Sequence, residues 1–295
     1  MKYIHGTSRN QVEFYCLEER IGADNEVRLI DLFVDSLDFA DLGFAEPKQS
    51  SKGGRPAFHP SDLLKLFLYG YLNQIRSSRK LEKETHINIE VMWLLRGLTP
   101  DHNTISNFRK DNPDAIKKVF KATVSLAKNF ELIGGKLIAG DGTKLRAQNS
   151  KKNNFNVKKL ERHLGYIETK LEEYNQALAE ADGDATLKQE LQKKIEIQEQ
   201  RKDKYQGFQK QMEETNEVQI STSDPECRQL ATRNGITEVA YNIQSTVDAK
   251  HNIPINYDVT NENDSKAMGS ILEQAVEGLG HNDFTALFDK GYHTG

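Results

Sequence analysis

The spacing of apolar residues divides the chain into a helical first part, a long heptad segment and a strand-bearing remainder. Residues 26–39 (EVRLIDLFVDSLDF) set Val27, Ile30, Leu32, Val34 and Leu37 at mixed helical spacing, which predicts a short amphipathic helix. Residues 46–57 are polar, with two glycines and two prolines, and predict a linker. Ser61 then stands as the candidate cap of a core helix carrying Leu63, Leu64, Phe67, Leu68, Tyr71, Leu72 and Ile75. Ser78 can cap a second helix to about residue 86, and Asn88 a third that ends at Gly97, a glycine suited to the left-handed cap position. Residues 101–110 read as a fourth helix, broken by Asn112-Pro113. Residues 114–131 read as a fifth, with Ile116, Val119, Phe120, Val124, Leu126 and Ala127 inward. Short helices joined by brief turns predict a compact module, of helix-turn-helix type.

The pattern changes at Gly134-Gly135. Residues 136–141 (KLIAGD) predict a short apolar strand ending in Asp141, and residues 146–156 a polar, basic loop. Val157, Leu160, Leu164, Ile167, Leu171, Tyr174 and Leu178 then step alternately by three and four, a coiled-coil seam. Asp182-Gly183-Asp184 supplies a turn. A second helix to about residue 214 carries Leu187, Leu191, Ile195, Tyr205, Phe208 and Met212, so the pair should form an antiparallel helical hairpin. Residues 237–247 alternate as a strand, with Val239, Tyr241, Ile243 and Val247 on one face. Residues 253–260 form its partner, with Pro254 at an edge or near the start. Residues 265–278 read as a helix and residues 284–289 (FTALFD) as a strand ending in Asp289. The fold class predicted is α+β: an all-helical domain over 1–131, then a mixed α/β domain over 132–295 interrupted by the hairpin at about 156–216.

Composition narrows the class. Apolar residues make up 37% of the 295, mean hydropathy is -0.69, and no run approaches a membrane span. The first fifteen residues lack the apolar core of a signal peptide. Cys16 and Cys227 are the two cysteines, with no CxxC pair, which argues against a disulfide scaffold or zinc finger. A cytoplasmic protein is the expectation. Charge is segregated beneath the net of -4: residues 51–160 carry 21 basic and 9 acidic side chains, net +12, between two acidic flanks. A basic block of that size points to a polyanion partner. Arg76, Arg79, Lys80, Arg109 and Lys110 sit at helix ends and turns, where phosphates could be met, and Lys151 and Lys152 follow the first strand. His59, His86, His102 and His163 show no metal spacing, and Trp93 reads as core. There is no GxGxxG or Walker pattern, so nucleotide hydrolysis is disfavoured.

Two apolar strands ending in aspartate, with a β-hairpin between them, can hold a hard divalent cation if they are neighbours. The wording around them is specific. Asp141-Gly142-Thr143-Lys144-Leu145 resembles the first acidic motif of DDE-type insertion-sequence transposases, and Ala286 through Tyr292 the second. Gly54-Arg55-Pro56 through Arg109 resembles the N-terminal helical domain of that group, with Pro100 to Arg109 similar to a signature in it. Ser223-Asp224-Pro225-Glu226 adds to the likeness, which spans about residues 26–295 in order.

The resemblance implies a bacterial, nucleoid-associated protein with a partial ribonuclease-H-like domain and the helical hairpin inserted between the first and second strands. It implies that Asp141 and Asp289 bind metal and act in catalysis, with Mg²⁺ or Mn²⁺ as cofactor, two ions in the complete site. It also implies that Lys144, with the cations above, meets double-stranded DNA at element ends and target, and that the protein is a homo-oligomer on DNA. The family completes its triad with a glutamate downstream of the second aspartate. Glu262, Glu273 and Glu277 all precede Asp289, so the chain resembles the front part of such an enzyme. The competing readings are an inactive DNA-binding and oligomerising regulator and a purely structural coiled-coil protein. The apolar strands disfavour the last.

Overall fold

A computed structural model describes residues 8, 10–12, 14–45, 56–181, 184–232 and 236–293. Gly6, most of the expected 46–57 linker with Gly54 and Arg55, and Asp182-Gly183 lie outside them. The chain is α+β and divides into two compact units, Met1–Thr123 and Val124–Gly295, each taken by itself below.

The first unit is helical: α1 Leu17–Arg20, α2 Glu26–Asp35, α3 Phe39–Leu42, α4 Pro60–Leu72, α5 Ser78–Ile87, α6 Ile89–Leu94, α7 His102–Asp111 and the start of α8 Pro113–Asn129. The side chains of Asn25, Asp38, Asn88 and Asp101 accept hydrogen bonds from the free N–H groups of the helices they precede. Two caps differ from expectation. His59, not Ser61, caps α4, because Pro60 has a backbone fit for the first helical position and no N–H to satisfy. Ser77, not Ser78, stands at the α5 cap, and its side chain makes no capping bond.

Leu66, Leu81, Leu94, Leu95 and Ile105 are fully buried at the centre of this unit. The buried stripe of α4 runs through Leu63, Leu64, Leu66, Phe67 and Tyr69, so Tyr71 and Leu72, expected inward, are exposed; Leu32 of α2 is exposed for the same reason. Gly70 lets α4 approach Leu81, whose Cδ2 would lie 2.9 Å from a Cβ there. Lys65 is buried between Asp31 (2.6 Å) and Asp35 (2.7 Å). Burial pushes its ammonium pKa down, but the two carboxylates outweigh it and hold the pKa above its ordinary value.

The second unit contains β1 Leu137–Arg146, a 3-10 turn Lys151–Asn153, β2 Asn154–Asn156, α9 Val157–Glu180, α10 Ala185–Thr215, β3 Gln219–Ser221 and β4 Arg228–Ala231. It continues with β5 Thr237–Asp248, β6 Ile253–Thr260, α11 Asp264–Leu279, β7 Thr285–Phe288 and a 3-10 turn Lys290–Tyr292. β5 is the spine: β1 pairs antiparallel along one edge, and β4 and β6 share the other. β7 lies parallel to β1 on its far side. The first strand therefore runs on past Asp141 to Arg146, because β5 is long enough to pair it throughout. Part of the expected 146–156 loop is also ordered, as β2 pairs with β3 to make a stem beneath the hairpin.

α9 and α10 pack together as the heptads require. Leu160, Ile167, Leu191 and Met212 are buried, whereas Val157 and Leu187, at the ends of the seam, are exposed. In β5 the apolar residues share one face as expected, and Val239 on it is buried, but the polar face is covered as well. Asn242, Gln244, Thr246 and Asp248 are buried, while Tyr241, Ile243 and Val247 are half-buried. α11 covers the polar face, and Ile138, Ile255 and Ile271 supply the apolar packing there. Asp248 is buried because its carboxylate accepts from the N–H groups of Gly134 (3.0 Å), Gly135 (2.8 Å) and Lys250 (2.9 Å). The glycine pair thus cradles a side chain of its own unit.

Candidate functional site

The register of β1 and β7 builds the site. Gly140 pairs with Phe288, so Asp141, within β1, and Asp289, just past the end of β7, are the next residues on two adjacent parallel strands. Neighbouring strands are about 4.8 Å apart, within reach of one shared cation. Side chains alternate along β1: Ile138 and Gly140 are buried on one face, and Asp141 is exposed on the other. The carboxylate of Asp141 accepts from the N–H of Gly142 and that of Asp289 from the N–H of Gly291, each at 2.8 Å.

Glycine is needed on both sides of Asp141. A Cβ at Gly140 would overlap the edge of the Phe288 ring, and one at Gly142 would collide with Asp264, Gln244 and Asn242. Those three form a polar core under the site. Asp264, in the first turn of α11, accepts from Lys144 Nζ (2.5 Å), Asn242 Nδ2 (2.9 Å) and Gln244 Nε2 (2.8 Å). Burial pushes the Asp264 carboxyl pKa up, but those hydrogen bonds and the Lys144 charge together hold it below its ordinary value. Gln244 Oε1 in turn accepts from the buried Tyr292 hydroxyl at 2.5 Å. Burial raises the Tyr292 pKa, and the charges of Asp264, Asp141 and Asp289 raise it further, so the phenol stays protonated.

An open cleft of 580 Å³ is lined by Asp141, Gly142, Thr143, Lys144, Ala231, Thr232, Glu238, Asp264 and Asp289. Among the described residues Asp141 and Asp289 form no ion pair, and their oxygen donors suit a hard divalent ion. Asp264 is engaged by Lys144. Among the described residues no group of three or more His, Cys, Asp or Glu side chains converges on a metal position. The donor set therefore fits one ion through two carboxylates, with water or phosphate oxygens completing its shell.

The expected cations are distributed. In the first unit Arg76, Arg79 and Lys80 are exposed around the start of α5, and Arg109 and Lys110 are exposed at the end of α7. α5 and α7 are tied by His102 Nδ1 and Glu82 Oε2 at 2.8 Å. In the second unit Lys151 and Lys152 are exposed in the 3-10 turn, whereas Lys144 is drawn inward onto Asp264. Asn242, Gln244, Asp264 and Tyr292 were not among the expected site residues. The signal for Asn242 and Gln244 is the period-two run of polar residues in β5, out of phase with its apolar ones, and Tyr292 closes the second motif singled out in the sequence.

Residues 15–111 match the family model of a transposase domain, DUF772. No curated protein and no solved structure gives a significant match.

Proposed function

We propose that this chain, which carries a match to a transposase domain over residues 15–111, is a DDE-type transposase of a bacterial insertion sequence. In this reading it binds the double-stranded DNA of the element ends as a homo-oligomer. The observation that carries the reading is the parallel pairing that sets Asp141 beside Asp289. The position of the helical hairpin between β1 and its antiparallel neighbour β5 agrees with a ribonuclease-H-like sheet.

Asp141 and Asp289 would hold Mg²⁺ or Mn²⁺, which when bound supplies charge stabilisation for phosphoryl transfer between DNA strands. The chain's own contributions are positional. β1 and β7 fix the two carboxylates by register, and the Asp264–Gln244–Tyr292 network fixes the turn that follows Asp289. The exposed cations of the first unit supply phosphate contacts that orient the duplex.

The test is a Mn²⁺ titration followed by electron paramagnetic resonance, with and without duplex DNA. DNA should tighten Mn²⁺ binding by adding phosphate oxygens, and Asp141→Asn or Asp289→Asn should weaken it. Mn²⁺ binding unchanged in the double variant overturns the site. The absence of a third converging acid among the described residues favours a second reading, a DNA-binding regulator without catalysis. Binding of element-end DNA without Mg²⁺-dependent nicking would select it.

A further inference from the structure

The root of the helical hairpin concentrates positive charge that the aspartate site does not use. Residues 151–163 hold five cations, Lys151, Lys152, Lys158, Lys159 and Arg162, against one acid, Glu161. Lys151, Lys152, Lys158 and Arg162 are exposed, and among the described residues none of them forms an ion pair. Glu161 lines a different cleft, together with Glu213 and Glu217.

Lys159 differs from its neighbours. Its ammonium donates to the backbone carbonyls of Lys151 (2.7 Å), Lys152 (3.0 Å) and Asn154 (2.7 Å), and lies 4.4 Å from the Phe155 ring centroid. All three of its N–H donors are used, and among the described residues it forms no ion pair with a carboxylate. The Lys151–Asn153 turn is therefore pinned from beneath by a cation. Lys151 and Lys152 project from a fixed backbone, so little ordering is required of the turn when they bind. One helical turn along, His163 stacks on Tyr205 with ring centroids 5.0 Å apart. Burial first, and then Lys159, Arg201 and Arg162, hold its pKa below the ordinary value.

We infer that the hairpin root is a docking surface for the phosphodiester backbone of nucleic acid. Lys151, Lys152, Lys158 and Arg162 make the phosphate contacts, and Lys159 is the positioning residue that holds the turn. The inference rests on the DNA reading proposed above and adds a second-unit surface to it. An acidic protein fits this surface less well. Protein interfaces are built on apolar and aromatic anchors and are depleted in lysine. Here Phe155, Tyr205 and Phe208 pack into the hairpin's own core with Leu160 and Met212, while Lys151, Lys152, Lys158 and Arg162 are exposed. A strongly positive, polar face is the character of nucleic-acid interfaces.

The test uses the full chain in EDTA, so that no cleavage chemistry enters, with a fluorescent duplex titrated between 50 and 300 mM salt, chosen to span roughly the range over which phosphate contacts are lost. Each lost phosphate contact should lower the salt slope by about 0.9. Lys151→Gln/Lys152→Gln/Arg162→Gln should lower it by about 2.7 with helix content and melting temperature unchanged. Lys159→Met should lower the slope as well, although Lys159 touches no phosphate, and Lys159→Arg should restore it. If Lys159→Met loses helix content, the three exposed variants still decide the question. A slope unchanged in the triple variant, while Arg76→Gln/Arg79→Gln/Lys80→Gln lowers it, overturns the root surface and leaves the proposed function standing. A slope unchanged in both triple variants overturns both. Polyglutamate that displaces the duplex as well as unlabelled duplex does would overturn the nucleic-acid assignment.

Discussion

The ring of Phe288 occupies the space that a side chain at Gly140 would need, across the parallel β1–β7 pair. This contact brings the two strands together immediately before Asp141 and Asp289. Gly140→Ala should force the ring aside and cost about 1–3 kcal/mol, the usual penalty of overpacking. Urea unfolding measures it. Phe288→Leu in the same chain should recover part of the loss, because the smaller side chain vacates the overlap. Additive effects of the two substitutions would show that they do not share this contact.

Asp248 closes the covered face of the sheet by accepting three backbone N–H groups. Burial raises its pKa, but the bonds from Gly134, Lys250 and Gly135 prevail and hold it below the ordinary 3.8. A carboxyl with a depressed folded-state pKa stabilises the protein fully above its unfolded value and loses that contribution as pH falls through the folded one. Asp248→Ala should cost about 2–3 kcal/mol at pH 7 by leaving buried donors unsatisfied. The gap between parent and variant should shrink below about pH 3.8. A gap constant from pH 7 to pH 2.5 contradicts the assignment.

How much of this could be read from the chain itself depends on what sets each feature. The seam from Leu160 to Leu178 was legible because two helices that pack mainly on each other follow heptad spacing closely. The neighbouring of the two aspartate-ending strands was legible as a condition, and the β1–β7 register meets it. The buried face of β5 was not. Period two separates the faces but does not say which one is covered, and here α11 covers the polar one, where Asp264 accepts from the amide N–H groups of Asn242 and Gln244 and Tyr292 donates to Gln244. The Lys144–Asp264 pair was not legible for a related reason. Asp264 lies 120 positions downstream of Lys144, beyond any local pattern.

The hairpin is expected to be dispensable for the sheet. Asn156 and Gln219 are paired across the β2–β3 stem, so an Asn-Gly turn can replace residues 157–218. Phe155 and Ile220, buried against Leu160 and Met212, lose their cover and should be changed to Thr in the same variant. The shortened chain should keep its strand signal by circular dichroism and melt cooperatively. Loss of strand signal would show that α9 and α10 contribute to folding the sheet.

Lys144 should act as a brake on cation binding. It lines the same cleft as Asp141 and Asp289, where its ammonium neutralises Asp264 at 2.5 Å. Lys144→Met removes that charge and leaves Asp264 held by the two amides alone. Stability should fall by about 1–2 kcal/mol, since the pair is only partly shielded from water. The cleft, however, becomes more negative by one unit. Against a divalent ion in a solvated cleft that change is worth about 1 kcal/mol, roughly fivefold in affinity. Mn²⁺ should therefore bind Lys144→Met more tightly than the parent while the protein itself melts lower. Lys144→Met/Asp264→Asn should return the affinity to near the parent's, because the net charge is then restored. Equal Mn²⁺ affinity in Lys144→Met and the parent would place the bound ion out of reach of the Lys144–Asp264 pair, away from this end of the sheet.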